Sequence, residues 1–436
     1  KVDSILAIYT YRGIVSHPQK DLVGREANYI LASQFMQAGH PAYGAINDVY
    51  GAPTWIVPRE NGMAILGLIM AYEIMGDELY LERAQLAADY LVRIQQADGA
   101  WCDQYSYTDV AVASKSPTQT AEVMIAFYKL GYTEQRYNSM KAGAEYLISC
   151  QQVENKGGIN DGLICGGKDA QGNYYTWRWA SDNAYAYQAL KAAQNWANVK
   201  GDTAFTETCA SAAQRIIEGI NQYLYIDDTS NPDFGVWYRA IDQKGVPVEP
   251  EFHEWINYAP QMLDLPCVGV NSARVGEWIH ENLQKEDGAV ITNNGWGANR
   301  KSPGFSFQAA LCWLDLGQVT YADAALNWAQ NSGLWQTTPD SNGVTGSWID
   351  WVENGTQADW WLRFIDTSFY AISAYGNGYD FATGKFLNLR DGIQAYELNI
   401  LGDEEYGLLY DEQGLLRDND GKGARGEQAD YDLSMQ

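Results

Sequence analysis

The chain has 436 residues, and its 55 acidic side chains against 29 Lys and Arg leave a net charge of −26. That balance excludes a nucleic-acid surface, whose phosphates demand a basic face, and argues against an anionic membrane surface. With 46% hydrophobic residues a large core is affordable, yet no apolar run reaches the roughly 18 residues that span a bilayer, so no membrane span is expected.

The pattern along the chain is a repeat. Six times an apolar helix-like run ends at a Gly or Pro, a very short link follows, and a second helix-like run begins. The links lie at Gly76, Gly131, Gly201, Pro266, Gly317 and Gly376. Such a period of roughly sixty residues specifies an architecture before any motif is considered. In chain order, helices are expected at 24–38, 60–75 (AILGLIMAYEIMG, with Pro58 as a start signal), 80–96, 117–130 (opened by Ser116-Pro117) and 134–152. They continue at 182–199 (Ser181 as N-cap), 202–223, 253–265, 271–283, 303–317 (opened by Ser302-Pro303), 321–331 and 359–375. The twelfth can close against the first.

Even-numbered helices such as AEVMIAFYKL and FSFQAALCWLDL are apolar on all faces and belong inside; odd-numbered ones such as YLERAQLAADYLVRIQQ are amphipathic and belong outside. This pattern resembles the (α/α)6 toroid of six-hairpin glycosidases and related polysaccharide lyases. The resemblance covers about 24–376 and rests on the repeat rather than on a signature motif. It implies an all-α catalytic toroid over 24–376, flanked by short β-rich extensions at 1–23 (SILAIYTY) and 377–436 (the hairpin-like GLLYDEQGLLRD, then a charged Gly-rich tail). If the two ends are ordered, they are expected to be pinned against the body or against a second copy, which would make a homo-oligomer.

Only one end of each hairpin carries long loops, so function is expected at a single mouth. The loops 39–59, 97–115, 153–181, 226–252, 285–301 and 332–358, with their borders, hold ten of the sixteen Trp, which points to stacking on the flat C–H faces of sugars. An oligo- or polysaccharide is the expected partner. Glycosidic hydrolysis needs one protonated and one ionised carboxyl. The candidate acids, in order, are Asp182, Glu254, Asp350, Asp103 and Asp359. Expected substrate-binding residues are Trp177, Arg178, Trp179, Tyr185, His253, Asn257, Tyr258, Trp296, Trp351 and Trp360. The resemblance supports acids at inner-helix mouths as a class and transfers no single residue.

Three rival readings stand beside hydrolysis. A lyase would use His253 or Tyr258 as base with Asn257 and Arg239 on a uronate carboxyl. A terpenoid cyclase is hinted at by QQADGAW at 95–101 and its echo at 284–288, but no DxDD appears, and the motif reads as an outer-helix cap that packs Trp101. A non-enzymatic sugar-binding or assembly-forming toroid is the third. No metal and no cofactor are expected: the histidines are dispersed, no nucleotide fingerprint occurs, and 227–233 reads as a turn. Among the six cysteines, Cys102 and Cys165 lie in loops and could pair with each other or with Cys150 in an oxidising compartment. The start at Lys-Val-Asp, without Met, gives a lean towards export.

Overall fold

A computed structural model describes residues 20–50, 55–112, 114–153, 162–248, 272–291, 299–357 and 364–376, together with the backbone of 379–380, 385–386, 409–410 and 416–417. Among them are eleven α-helices: α1 Lys20–Ala32, α2 Pro58–Met75, α3 Glu78–Ile94, α4 Pro117–Leu130, α5 Glu134–Gln151, α6 Ala180–Lys200, α7 Thr203–Gly219, α8 Ser272–Leu283, α9 Pro303–Asp315, α10 Val319–Asn331 and α11 Ile365–Gly376. The helix expected at 253–265 lies outside the described residues, as do 1–19 and most of 377–436. The expected pinning of the termini and the homo-oligomer built on it therefore fall outside them too.

The helices form two concentric layers. In the inner layer α2 packs on α4, α4 on α6, α9 on α11, and α11 back on α2. Each of α3, α5, α7 and α10 lies against the inner helix that precedes it in sequence, while α1 pairs with α11, so the last hairpin joins the two ends of the ring. The tight links follow from capping chemistry. Gly76 ends α2 in the left-handed region at φ 72°, and the very next residue, Asp77, caps α3 by accepting the Leu79 N–H at 3.0 Å. Gly201 (φ 79°) and Asp202 do the same between α6 and α7.

Three boundaries differ from expectation. The first helix stops at Ala32, because Phe35 leaves it to exchange hydrogen bonds with Ala45 and Gly44. The α6 N-cap is Trp179, not Ser181: Trp179 closes a strand, and the Ala180 N–H is satisfied by the Arg239 carbonyl at 2.9 Å. Past Gly219, α7 runs on as one wide π turn, Ile220–Leu224.

A repeated device ties the outer layer together. Near the end of four outer helices a glutamine turns its side-chain amide back. One N–H goes to a glycine carbonyl in the following loop; the other goes to a carbonyl on the next outer helix. Gln34 donates to Gly44 and Arg83 at 2.8 and 3.0 Å. Gln95 donates to Gly99 and Ser139 at 2.7 and 2.8 Å. Gln151 donates to Gly162 and Ala212 at 2.7 and 2.9 Å, and Gln284 to Gly288 and Tyr321 at 3.3 and 2.9 Å. Both amide donors are thereby used. Each glycine has positive φ and lies flat on the neighbouring helix: a Cβ at Gly99 would stand 2.0 Å from the Ala142 carbonyl oxygen. QQADGAW is thus a structural clasp, and Trp101 behind it is fully buried with its Nε1–H on the Leu91 carbonyl at 2.8 Å.

Two residues after each clasp glycine, the backbone docks on the fourth residue of an inner helix. The N–H groups of Ile46, Trp101, Ile164 and Val290 donate to Asn61, Thr120, Asn183 and Ser306, at 2.7, 3.3, 2.7 and 3.1 Å. At the ring junction buried Glu26 of α1 replaces this arrangement. It accepts from Trp335 Nε1 (2.9 Å), the Ser347 N–H (2.7 Å) and Ser368 Oγ of α11 (2.8 Å).

Above the inner helices, the long loops are stitched into a collar by short antiparallel pairs. These are β1 (Gln104–Tyr105) with β2 (Ala111–Val112), the sheet β3 (Arg178–Trp179), β4 (Ala240–Ile241) and β5 (Pro247–Val248), and the sheet β6 (Arg300–Lys301), β7 (Val352–Glu353) and β8 (Thr356–Gln357). Bridges Ile56–Tyr105, Lys115–Lys168 and Val49–Phe364 join further neighbours. Strands were expected only at the chain ends, where β9 (Tyr379–Asp380) pairs with β10 (Lys385–Phe386), and β11 (Leu409–Tyr410) with β12 (Leu416–Arg417), the latter within GLLYDEQGLLRD.

The clasp geometry predicts a ranking of glycine substitutions. Gly76→Ala, where nothing lies within 4 Å of the added Cβ, should cost only left-handed strain, about 1 kcal/mol. Gly99→Ala should cost about 3 kcal/mol or more, because the Ala142 backbone must move. Urea midpoints of the two variants check the order.

Candidate active site at the mouth

Inner-helix positions two, three and six share one face, roughly opposite position four, which binds the loops. That face looks down the axis of the ring. From α2 it presents Arg59 and Glu60, from α4 Glu122, from α6 Tyr185, and from α11 Asp366 and Tyr370. Gly62 lets α2 and α4 meet closely, since a Cβ there would lie 3.1 Å from the Glu122 carbonyl oxygen. Arg59 Nε lies 3.5 Å from Glu60 Oε1 and 3.4 Å from Glu122 Oε2. The Arg59 N–H donates to Gln119 Oε1 at 2.8 Å. The group is recessed rather than sealed: Arg59 keeps 27% side-chain exposure, Glu60 13% and Glu122 5%.

Asp350 adds a fourth carboxyl to this cluster. Burial, then the negative charge of Asp366, pushes its pKa up to about 7, against the pull of Arg300. Burial also raises Glu60 well above the ordinary range, reinforced by Asp366 and opposed by Arg59. Glu122 and Asp366 are raised by burial too, and Arg59 opposes this in both. The Tyr185 side chain beside Glu122 favours its ionised form. Burial alone would lower Arg59, but Glu122 and Glu60 outweigh it and keep the guanidinium charged. Four raised carboxyls around one guanidinium do not all ionise together. The cluster holds protons and carboxylate charge side by side, which is the requirement for acid and base chemistry in one place.

Of the other expected residues, Asp182 is position three of α6 and so belongs to the same axis face; it is buried and accepts from Thr118 Oγ1, position two of α4, at 2.5 Å, bridging two inner helices. Asp103 accepts from Ser114 Oγ and, at 3.0 Å, from the Ser116 N–H, holding the approach to α4. Arg178 is fully buried and donates to the carbonyls of Thr176 (2.7 Å) and Val153, so it braces the collar. Trp177 and Trp179 stack 5.2 Å apart, with the Arg239 guanidinium 5.2 Å over Trp179. Trp351 carries the Arg300 guanidinium at 4.6 Å, and Arg300 also pairs with Glu353 at 3.2 Å. Glu254, Asp359, His253, Asn257, Tyr258, Trp296 and Trp360 lie outside the described residues.

Loop aromatics divide into two groups. Trp101, Trp237 and Trp348 are fully buried packing residues, whereas Trp55 is 38% and Tyr175 44% exposed. Glu60, Glu122, Asp366 and Tyr370 escaped the sequence reading because they sit inside the helical runs, and Arg59 because it sits at the very end of the loop expected at 39–59. Their signal was present: PRENGMAILG, TAEVMIAF and FIDTSFYAIS each place an acid near the start of a helix apolar on all faces. Among the described residues no group of three His, Cys, Asp or Glu is placed to hold a metal ion, and no helix is long and apolar enough to cross a membrane.

No protein-family model matches the sequence, and no curated protein matches it either. Solved structures do. A D-mannose isomerase aligns at TM-score 0.59 and 14% identity, covering 82% of this chain and 95% of that one. A cellobiose 2-epimerase from Bacillus thermoamylovorans aligns at TM-score 0.60 and 11% identity, covering 82% and 98%. An unsaturated glucuronyl hydrolase specific for heparin aligns at TM-score 0.57 and 13% identity, covering 85% and 98%. The chain has the fold of the six-hairpin glycosidase-like (α/α)6 toroids. At these identities the likeness concerns the fold alone.

The raised Asp350 carboxyl has a thermodynamic signature. Between about pH 4 and about pH 7 the folded toroid keeps a proton there that the unfolded chain has released, so stability falls as pH rises through that window and levels off above it. In Asp350→Asn the fall from about pH 5 to about pH 8 should be smaller by roughly 2 kcal/mol, read from denaturation midpoints.

Proposed function

We propose that this toroid is a glycoside hydrolase acting on a neutral oligo- or polysaccharide. The observation that carries the reading is the set of raised carboxyls around Arg59 at the mouth. Asp350, protonated near neutrality, is the group suited to donate to the leaving glycosidic oxygen. Glu122, drawn towards ionisation by Arg59 and Tyr185, is suited to act as base or nucleophile. Partly exposed Trp177, Trp179 and Trp351, with Trp55 and Tyr175, supply apolar faces for sugar rings.

The chemistry of the site favours hydrolysis over β-elimination. A lyase needs cations or amides to neutralise the uronate carboxylate, and here Arg59 is already engaged by Glu60 and Glu122, and Arg300 by Glu353. Carbohydrate as the ligand class also agrees with the toroids of similar fold, which include a D-mannose isomerase, a cellobiose 2-epimerase and an unsaturated glucuronyl hydrolase. A purely sugar-binding toroid has no need of carboxyls tuned apart.

Reducing-end release from a panel of neutral glycans tests the assignment. Glu122→Gln and Asp350→Asn should each lower kcat/KM by about 10²–10⁴-fold with the fold retained. An unsaturated, ultraviolet-absorbing product from a uronate-containing glycan run beside the panel, or full activity in both variants, would sink it.

A further inference from the structure

Five cysteines lie among the described residues, and all five are buried free thiols. Two of them are neighbours. Cys150 is the penultimate residue of α5, and Cys165 lies in the third mouth loop, three residues past the clasp glycine Gly162. The Cys165 N–H donates to the Cys150 carbonyl at 3.3 Å, and each thiol shifts the proton affinity of the other. A main-chain bond of that length is compatible with the Cα separation that a disulfide accepts, about 4.4–6.8 Å.

We propose that Cys150 and Cys165 form a disulfide that staples the third mouth loop to the end of α5. A low-molecular-weight disulfide such as oxidised glutathione supplies the oxidising equivalents. The Cys165 thiolate attacks one sulfur of the reagent, forming a mixed disulfide and releasing one thiol. The Cys150 sulfur then attacks the Cys165 sulfur, forming the staple and releasing the second thiol. The protein loses two electrons and two protons, and the reagent is reduced to two thiols.

Local environment assigns the order. The Cys150 thiol, and then the Gly167 N–H, hold the Cys165 thiol below its usual range despite burial. Burial pushes the Cys150 thiol well up, so it is the poorer first nucleophile. Cys102, the other loop thiol, lies beside Tyr105 instead, and burial pushes it up as well.

The staple bears on the mouth. Directly after Cys165, the Gly166 N–H donates to the Trp177 carbonyl at 2.9 Å, and the Gly167 carbonyl accepts from the Tyr175 N–H at 2.8 Å. A Cβ at Gly167 would lie 1.9 Å from the Lys115 carbonyl oxygen, so this segment is already wedged against the second loop. Linking Cys165 to α5 fixes the base on which the Trp177–Trp179 stack rests.

The full chain is produced in an oxidising compartment and, in parallel, refolded in a mixture of reduced and oxidised glutathione. Remaining thiols are alkylated under denaturing conditions and the peptides mapped by mass spectrometry. A Cys150–Cys165 cross-link is expected in both preparations, with Cys102, Cys209 and Cys312 alkylated. Reductant should lower the Tm of the wild-type chain by a few degrees and leave a Cys150→Ser/Cys165→Ser variant unmoved. Alkylation of both residues in both preparations, or cross-linking of either one to Cys102 or to glutathione, would overturn the proposal.

Discussion

The clasp between outer helices is the constraint from which the mouth follows. A glutamine amide has two donors, and in four hairpins one reaches a loop glycine and the other the next outer helix. This sets the angle between successive repeats. It also fixes where the loop backbone arrives at the inner helix two residues later, at Asn61, Thr120, Asn183 or Ser306. With position four of each inner helix anchored to the loops, positions two, three and six turn towards the axis. The helix-borne carboxyls Glu60, Glu122 and Asp366 are therefore a by-product of register, and only Asp350 is brought to them by a loop.

Gathering acids on the axis has an energetic cost that the protein meets with one recessed cation and with protons. Arg59 touches Glu60 and Glu122, while Asp366 and Asp350 repel one another from neighbouring positions. Arg300 is held off the centre by Trp351 and Glu353, where it moderates Asp350 without neutralising it. A site dominated by carboxyls whose affinities for protons differ is poised to give up one proton and accept another.

The hairpin beat was legible because Gly76-Asp77 and Gly201-Asp202 write a C-cap and an N-cap side by side. Inner and outer layers were legible because an all-apolar helix has no face for water. Half of the clasp set was visible as QQADGAW and its echo; Gln34 with Gly44 and Gln151 with Gly162 were hidden by longer separations in sequence. The site was harder to see. Residues such as Glu122 occupy helices that read as core, and an axis-facing side chain has the same neighbours in sequence as a core-facing one. Asp350 was found because it lies in a loop. Trp101, Trp237 and Trp348 lie in loops too, but those loops have an interior of their own, and ring type alone does not separate a packing Trp from a binding one.

The junction at Glu26 bears on synthesis. α1, the first helix described, has its inner partner in α11, more than three hundred residues later, and Glu26 finds Ser347 and Ser368 only then. Until α11 leaves the ribosome the apolar flanks of α2 face no neighbour on one side, and the nascent arc exposes at its open edge the surface that the finished ring conceals. Such a chain needs protection during translation that a domain built from self-contained hairpins would not.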